Sequence, residues 1–116
     1  MKIGFDLMGS DNAPVKELET LQLLSEENSG GLLVTGKGDY EPEVTEIGFE
    51  FHLADEVVGM HEIPTVAVRQ KKNSSLGVLI KLLKNREIDA VVSAGNTGAI
   101  LGFSMLELGK ISGLSR

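Results

Sequence analysis

Apolar residues recur along this chain with two different periods. Ile3, Phe5 and Leu7 alternate with other residues, the period-two pattern of a strand, and predict a first strand ending near Asp6. Val15, Leu18, Leu21 and Leu24 then form a stripe at helical spacing. The turn Met8-Gly9-Ser10-Asp11-Asn12-Ala13-Pro14 leads into that helix, with Asp11 or Asn12 as cap and Pro14 in the first turn, and Asn28-Ser29-Gly30-Gly31 stops it. Leu32-Leu33-Val34-Thr35 is a continuous apolar run before Gly36, as a strand buried on both faces requires. Phe49 to Ala54 predicts a third strand, after a polar helix or loop around Tyr40 to Ile47. Asp55 to Ile63 reads as a connecting loop, and Pro64 opens a short helix that carries Val66, Val68 and Arg69 toward Lys72. Asn73 or Ser74 caps the next helix, in which Leu76, Leu79, Ile80 and Leu83 fall at i, i+3, i+4 and i+7. Ile88 to Ser93 is the fourth strand, and Ala99 to Leu108 the last helix.

Strands and helices alternating in this order predict an α/β fold, a three-layer α/β/α arrangement around a mainly parallel sheet with right-handed crossovers. Ligands of such sheets bind beyond the carboxyl ends of the strands. The turn after the first strand, Asp6 to Asn12, and the turn after the fourth, Ser93 to Gly98, are therefore expected to face one crevice. The last helix carries Glu107 as its only charge and is expected to be covered on every side. Residues 1–116 are accordingly expected to be a single α/β domain covered by a partner subunit, or the N-terminal part of a longer α/β protein.

Composition narrows the chemistry. The 116 residues are 41% hydrophobic, enough for a real core, but only 4% aromatic with no Trp, which removes base-stacking platforms for single-stranded nucleic acid. There is no Cys, so disulfides, thiolate nucleophiles and cysteine metal sites are excluded, and an intracellular setting is the simplest expectation. Asp6 interrupts the N-terminus too early for a signal peptide, and the longest weakly polar window, Ala90 to Leu106, contains Ser93, Gly95, Asn96, Thr97 and Gly98, which a membrane-spanning helix would leave unsatisfied in lipid. A soluble, cytoplasmic chain is expected. A net charge of −6 argues against general nucleic-acid affinity. Between Arg69 and Arg86, however, lie six basic residues and no acidic one, while the remainder holds five basic and 17 acidic residues. Lys81, Lys84 and Arg86 read as a solvated helix face; Arg69, Lys71 and Lys72 crowd in front of a helix start and could serve an anion.

Ser93-Ala94-Gly95-Asn96-Thr97-Gly98-Ala99 lies where a strand stops and a helix begins. The first helical turn offers backbone N–H groups with no internal partner, and the helix dipole adds partial positive charge there, so an anion is the natural occupant. Gly95 and Gly98 allow sharp bending and close approach, and Ser93, Asn96 and Thr97 add hydroxyl and amide groups. The alternative is that Asn96 or Thr97 simply caps the helix. The stretch is neither G-x-G-x-x-G nor a P-loop. Asp6 and Asp11, flanking Met8-Gly9-Ser10, could do acid/base work or hold a metal, or else act as strand-end and capping residues. Asn73-Ser74-Ser75, behind Lys71 and Lys72, could surround a phosphate or cap a plain helix; without a G-x-S-x-G context neither serine reads as a nucleophile. His52 and His61 have no ligand partners at metal spacing.

Taken in order, Asp6-Leu7-Met8-Gly9-Ser10-Asp11, Gly59-Met60, Lys71-Lys72-Asn73-Ser74-Ser75, Ser93 to Ala99 and Gly109-Lys110-Ile111-Ser112-Gly113-Leu114 resemble the successive motifs of the bacterial phosphate acyltransferases, also called fatty acid/phospholipid synthesis proteins. Ser10 stands where that family usually has Gly, and Ser112 where Pro is common. The resemblance covers the N-terminal portion of family members only. It implies an isopropylmalate-dehydrogenase-like or phosphotransacetylase-like fold and transfer of a fatty acyl group from acyl carrier protein to inorganic phosphate, giving acyl phosphate for phospholipid synthesis. No redox, organic or metal cofactor is implied. Catalytic roles fall on Asp6, Lys72 and Asn96; phosphate and substrate binding fall on Gly9, Asp11, Lys71, Ser74, Ser75, Ser93, Gly95, Thr97 and Gly98. A homodimer is implied, with peripheral association at the inner face of the cell membrane left open. Two other readings stand beside it: an acyl-phosphate-handling subunit of an amino-acid reductase complex, and a non-catalytic binding domain.

Overall fold

The computed structural model describes residues 1–26 and 31–109. Asn28, Ser29 and Gly30 of the expected helix stop, and the motif from Lys110 to Leu114, lie outside the described residues. In chain order the elements are β1 (Ile3–Asp6), α1 (Val15–Glu26), β2 (Leu32–Gly36), a 3-10 turn (Gly38–Tyr40), α2 (Glu41–Ile47), β3 (Glu50–Leu53), α3 (Pro64–Gln70), α4 (Ser75–Lys84), β4 (Ala90–Val92) and α5 (Thr97–Glu107). The four strands form one parallel sheet in the order β3-β2-β1-β4. The chain steps outward from β1 to β3, then crosses back to lay β4 on the other side of β1. The sheet therefore has a topological switch point between β1 and β4, where open α/β sheets bind ligands.

Both faces of the sheet are covered, which explains the unbroken apolar run in β2, whose five residues are all buried. Phe5, Leu32 and Val34 pack with Leu21 of α1 and Val44 of α2 on one face. Leu33 packs with Leu79 and Leu82 of α4 and with Ile88 on the other. Beside that layer, Ala67 of α3, Leu76 and Ile80 of α4, and Ala99 and Phe103 of α5 form a third cluster with Val58. The result is the expected three-layer α/β/α arrangement.

Local signals account for most boundaries. Ser74 caps α4, its Oγ accepting the Gly77 N–H at 3.1 Å, and Lys81 and Lys84 occupy the last turn, where cations complement the helix dipole. Gly48 ends α2 with φ of 114°, a left-handed conformation that favours glycine. The turn into α1 differs from expectation. It is closed by backbone bonds from Ala13 N–H to Ser10 O and from Val15 N–H to Asn12 O, and no side-chain cap from Asp11 or Asn12 is formed among the described residues. Val15, at the start of the expected stripe, is exposed and lines a groove between α1 and α2; Glu17 is buried instead. The last helix, α5, is covered only in part. Only Ala99 and Phe103 are buried, while Leu101, Met105, Leu106 and Leu108 are exposed, so the described residues cover one side of a helix apolar nearly all round.

Leu79 has no exposed surface and fills the contact between α4 and the sheet. Leu79→Ala is expected to destabilise the protein by roughly 2–5 kcal/mol, read as a lower denaturant midpoint at unchanged slope.

Candidate active site

The switch point is organised by one carboxylate. Strand alternation turns Gly4 and Asp6 of β1 toward α4, and Asp6, only 2% exposed, ends there with every contact internal. Its Oδ1 accepts the Met8 N–H at 3.0 Å and the Ser75 hydroxyl at 2.5 Å; its Oδ2 accepts the Ser93 hydroxyl at 2.7 Å. One side chain thus joins the turn after β1, the first residue of α4 and the residue after β4. Thr35 adds a parallel tie from β2, its hydroxyl donating to Ser75 O at 3.0 Å.

The two glycine turns meet directly. A Cβ placed on Gly9 would lie 2.8 Å from Gly95 Cα and 2.7 Å from Asp6 Oδ2, so only glycine allows this approach. Ser93 Oγ accepts the Gly95 N–H at 3.1 Å while donating to Asp6. Beside this contact a cavity of about 530 Å³ opens between β1, β4 and α1, lined by Asp6, Ser10, Asp11, Ser93 and Ala94 among others. A larger hollow of about 670 Å³ between α1 and α2 contains no residue of either glycine turn.

The other expected site residues take different positions. Ser74 and Ser75 are buried with their hydroxyl groups committed, one to the α4 cap and one to Asp6. Asn96, 6% exposed, caps α5 by accepting the Ala99 N–H at 3.0 Å, and its Nδ2 donates to the carbonyls of Gly59, Met60 and Glu62 at 3.2, 3.3 and 3.0 Å. Lys71 Nζ donates to Val57 O at 2.8 Å and to Glu62 Oε2 at 2.7 Å, and the same Glu62 oxygen accepts the Gly59 N–H at 2.7 Å. The 55–63 connection is therefore stitched down by Lys71 and Asn96. Lys72 and Thr97 are exposed, and Lys72 makes no ion pair among the described residues. Gly98 sits against Pro64. At the start of α5 the N–H groups of Asn96, Thr97 and Gly98 have no protein acceptor among the described residues.

Asp6, Asp11, Gly9, Gly95 and Ser93 thus converge at one place, with Ser75 behind them, while Lys71 belongs to the clamp on the neighbouring loop. Sequence reasoning missed Glu17 and Glu62. Glu17 looks like an ordinary first-turn acidic residue of α1. Glu62 lies in a loop without periodicity, and its only local signal is its position three residues after Gly59.

A family model described as "Fatty acid synthesis protein" matches residues 1–116. The chain belongs to that family. It is 42% identical to the phosphate acyltransferase of Dictyoglomus turgidum, 44% to that of Dictyoglomus thermophilum and 40% to that of Geobacter sulfurreducens, each across the whole of this chain. It spans 36% of the length of the first two and 35% of the third. The resemblance of the ordered motifs to the fatty acid synthesis proteins is thereby borne out.

Two outcomes follow from the geometry. Gly9→Ala is expected to cost about 1–3 kcal/mol, because the added carbon meets the Gly95 backbone and the hydrogen-bonded Asp6 carboxylate, neither of which can give way freely; calorimetric melting checks this. The carboxyl of Glu62 is held below its ordinary value of 4.5, first by the Gly59 N–H and then by the Lys71 ammonium, against the opposing effect of burial. A depressed folded value means the contribution is complete above about pH 4.5 and is lost as pH falls through the lowered value. Glu62→Gln should therefore be less stable than the parent by about 1 kcal/mol near neutrality, with the gap narrowing as pH falls below 4.5 and through the lowered value. Denaturant midpoints across pH measure this; an equal gap at both ends would contradict the assignment.

Proposed function

We propose that this chain carries the phosphate-handling part of an acyltransferase site, which moves a long fatty acyl group from acyl carrier protein to inorganic phosphate and releases acyl phosphate for phospholipid synthesis. The observation that carries this reading is the junction of the two glycine turns at the sheet's switch point, together with the N–H groups of Asn96, Thr97 and Gly98 at the start of α5, which have no protein acceptor among the described residues. Such groups, with the helix dipole behind them, suit a phosphate oxygen or a developing oxyanion. A phosphate oxygen attacks the thioester carbonyl, the new carbon–oxygen bond forms as the carbon–sulfur bond breaks, and the thiolate leaves to take up a proton. The protein's part is to position the reactants and stabilise charge.

In this reading Asp6 and Ser75 hold the turns in register rather than touching substrate, and Asn96 positions the α5 terminus through its cap. Lys72, exposed on the loop before α4, supplies a mobile positive charge for phosphate, and Thr97 and Gly98 contribute donors. Asp11, at the cavity mouth, faces the donor side. The names of the relatives support acyl transfer to phosphate. A cytoplasmic location is part of the proposal; no helix among the described residues is long and apolar enough to cross a membrane. The exposed apolar side of α5 supports burial against further protein, as in a homodimer.

The test is acyl phosphate formation from long-chain acyl carrier protein and inorganic phosphate, trapped as the hydroxamate, with acetyl thioester as the comparison donor. Phosphate-dependent product from the long-chain donor is expected. Lys72→Ala should raise KM for phosphate about ten-fold, the loss of one charge-assisted contact, without altering the fold. Absence of acyl phosphate from every donor would overturn the reading.

A further inference from the structure

The cavity at the switch point contains a group that the phosphate side of the site does not use. Glu17, in the first turn of α1, is 5% exposed, and its Oε2 accepts the Ser10 hydroxyl at 2.6 Å. Its Oε1 is closed from solvent without a hydrogen-bond partner, and no other buried side-chain nitrogen or oxygen among the described residues is left so. An orphaned buried acceptor is costly to keep, so it needs an explanation, and a partner supplied by a ligand is a physical one. Glu17 lines the cavity together with Ser10, and the broad terminal torsion of a glutamate lets its carboxylate turn toward the opening at little cost.

The rest of the lining indicates what enters. Phe5, Met60 and Val92 supply an apolar wall. Asp6, Asp11 and Glu17 bring three carboxylates against one ammonium, Lys16, which is itself 3.7 Å from Glu19 on the solvent side. That balance repels a phosphate and suits a slender, uncharged ligand that has apolar stretches and N–H donors. Ser93 and Ala94, which line the cavity, precede the start of α5 in the chain by the two residues Gly95 and Asn96.

We propose that this cavity holds the amide-bearing arm of the acyl thioester donor, with Glu17 accepting an amide N–H, so that the thioester end reaches the α5 terminus where phosphate is bound. This rests on the acyl-transfer reading above, and it makes Glu17 a donor-binding residue. It also separates the two substrates by charge: the carboxylate-lined cavity takes the neutral arm, and the helix terminus takes the anion.

The probe is pantetheine, which carries the amides and thiol without an acyl chain, titrated calorimetrically into the protein, with inorganic phosphate titrated separately. The parent protein should bind pantetheine, and Glu17→Ala should weaken that binding at least ten-fold while leaving phosphate binding unchanged. Glu17→Gln keeps the size and an acceptor oxygen, so it should lose less; it also serves as the folded comparison if the alanine variant melts early. No pantetheine binding by the parent, equal affinity in both variants, or a matching loss of phosphate binding would each overturn the assignment. The hydroxamate assay keeps the two ideas separate. Glu17-dependent pantetheine binding without acyl phosphate supports the cavity assignment and sinks the acyl-transfer reading. Acyl phosphate formed without Glu17-dependent binding sinks the cavity assignment alone.

Discussion

The carboxylate of Asp6 accepts hydrogen bonds from three chain segments at the carboxyl end of the sheet, and the rest of the site depends on that junction. It is buried without a cation. Its charge is balanced instead by two hydroxyl groups and a backbone N–H, an arrangement tolerable in a low-dielectric interior only when each donor is well placed. Without that acceptor the Ser75 and Ser93 hydroxyl groups would be stranded, and the turns after β1 and β4 would lose the tie that presses Gly9 against Gly95. Gly95 in turn leads directly into Asn96, the cap of α5.

A second set of polar bonds secures the opposite side of the α5 terminus. Asn96 spends both halves of its amide, the oxygen on the helix cap and the nitrogen on three carbonyls of the 59–62 turn. Lys71, just after α3, locks the same turn through Glu62. These bonds give a loop lacking regular structure a fixed course, with Pro64 packed against Gly98. Rigid support of this kind is what a site built on loops needs if its donors are to be ready before the ligand arrives.

Charge is divided across the same small region. The cavity side carries Asp6, Asp11 and Glu17, while Lys72 stands exposed at the approach to α4. An acidic chain is compatible with the proposed anion site, because the partial charges of a helix terminus and one exposed lysine act locally, whereas net charge acts over a screened distance.

Much of this was legible in the residues. The two hydrophobic periods marked four strands and the main helices, because burial on a sheet or along one helix face imposes spacing on the chain itself. Glycine turns after the first and fourth strands located the crevice, because parallel sheets place their ligands at strand ends. The sequence by itself determined the α/β alternation, the absence of cysteine chemistry and the ordered motifs of the fatty acid synthesis proteins. What each polar residue does there was decided only by tertiary structure. Ser74 caps a helix and Ser75 binds Asp6 although they are neighbours; Lys71 is tied to Glu62 while Lys72 stands exposed; Glu17 is buried at a position whose local sequence predicts a solvated helix start. Hydrogen-bond partners up to 87 residues apart in the chain fix these roles, and no spacing rule reaches across such distances.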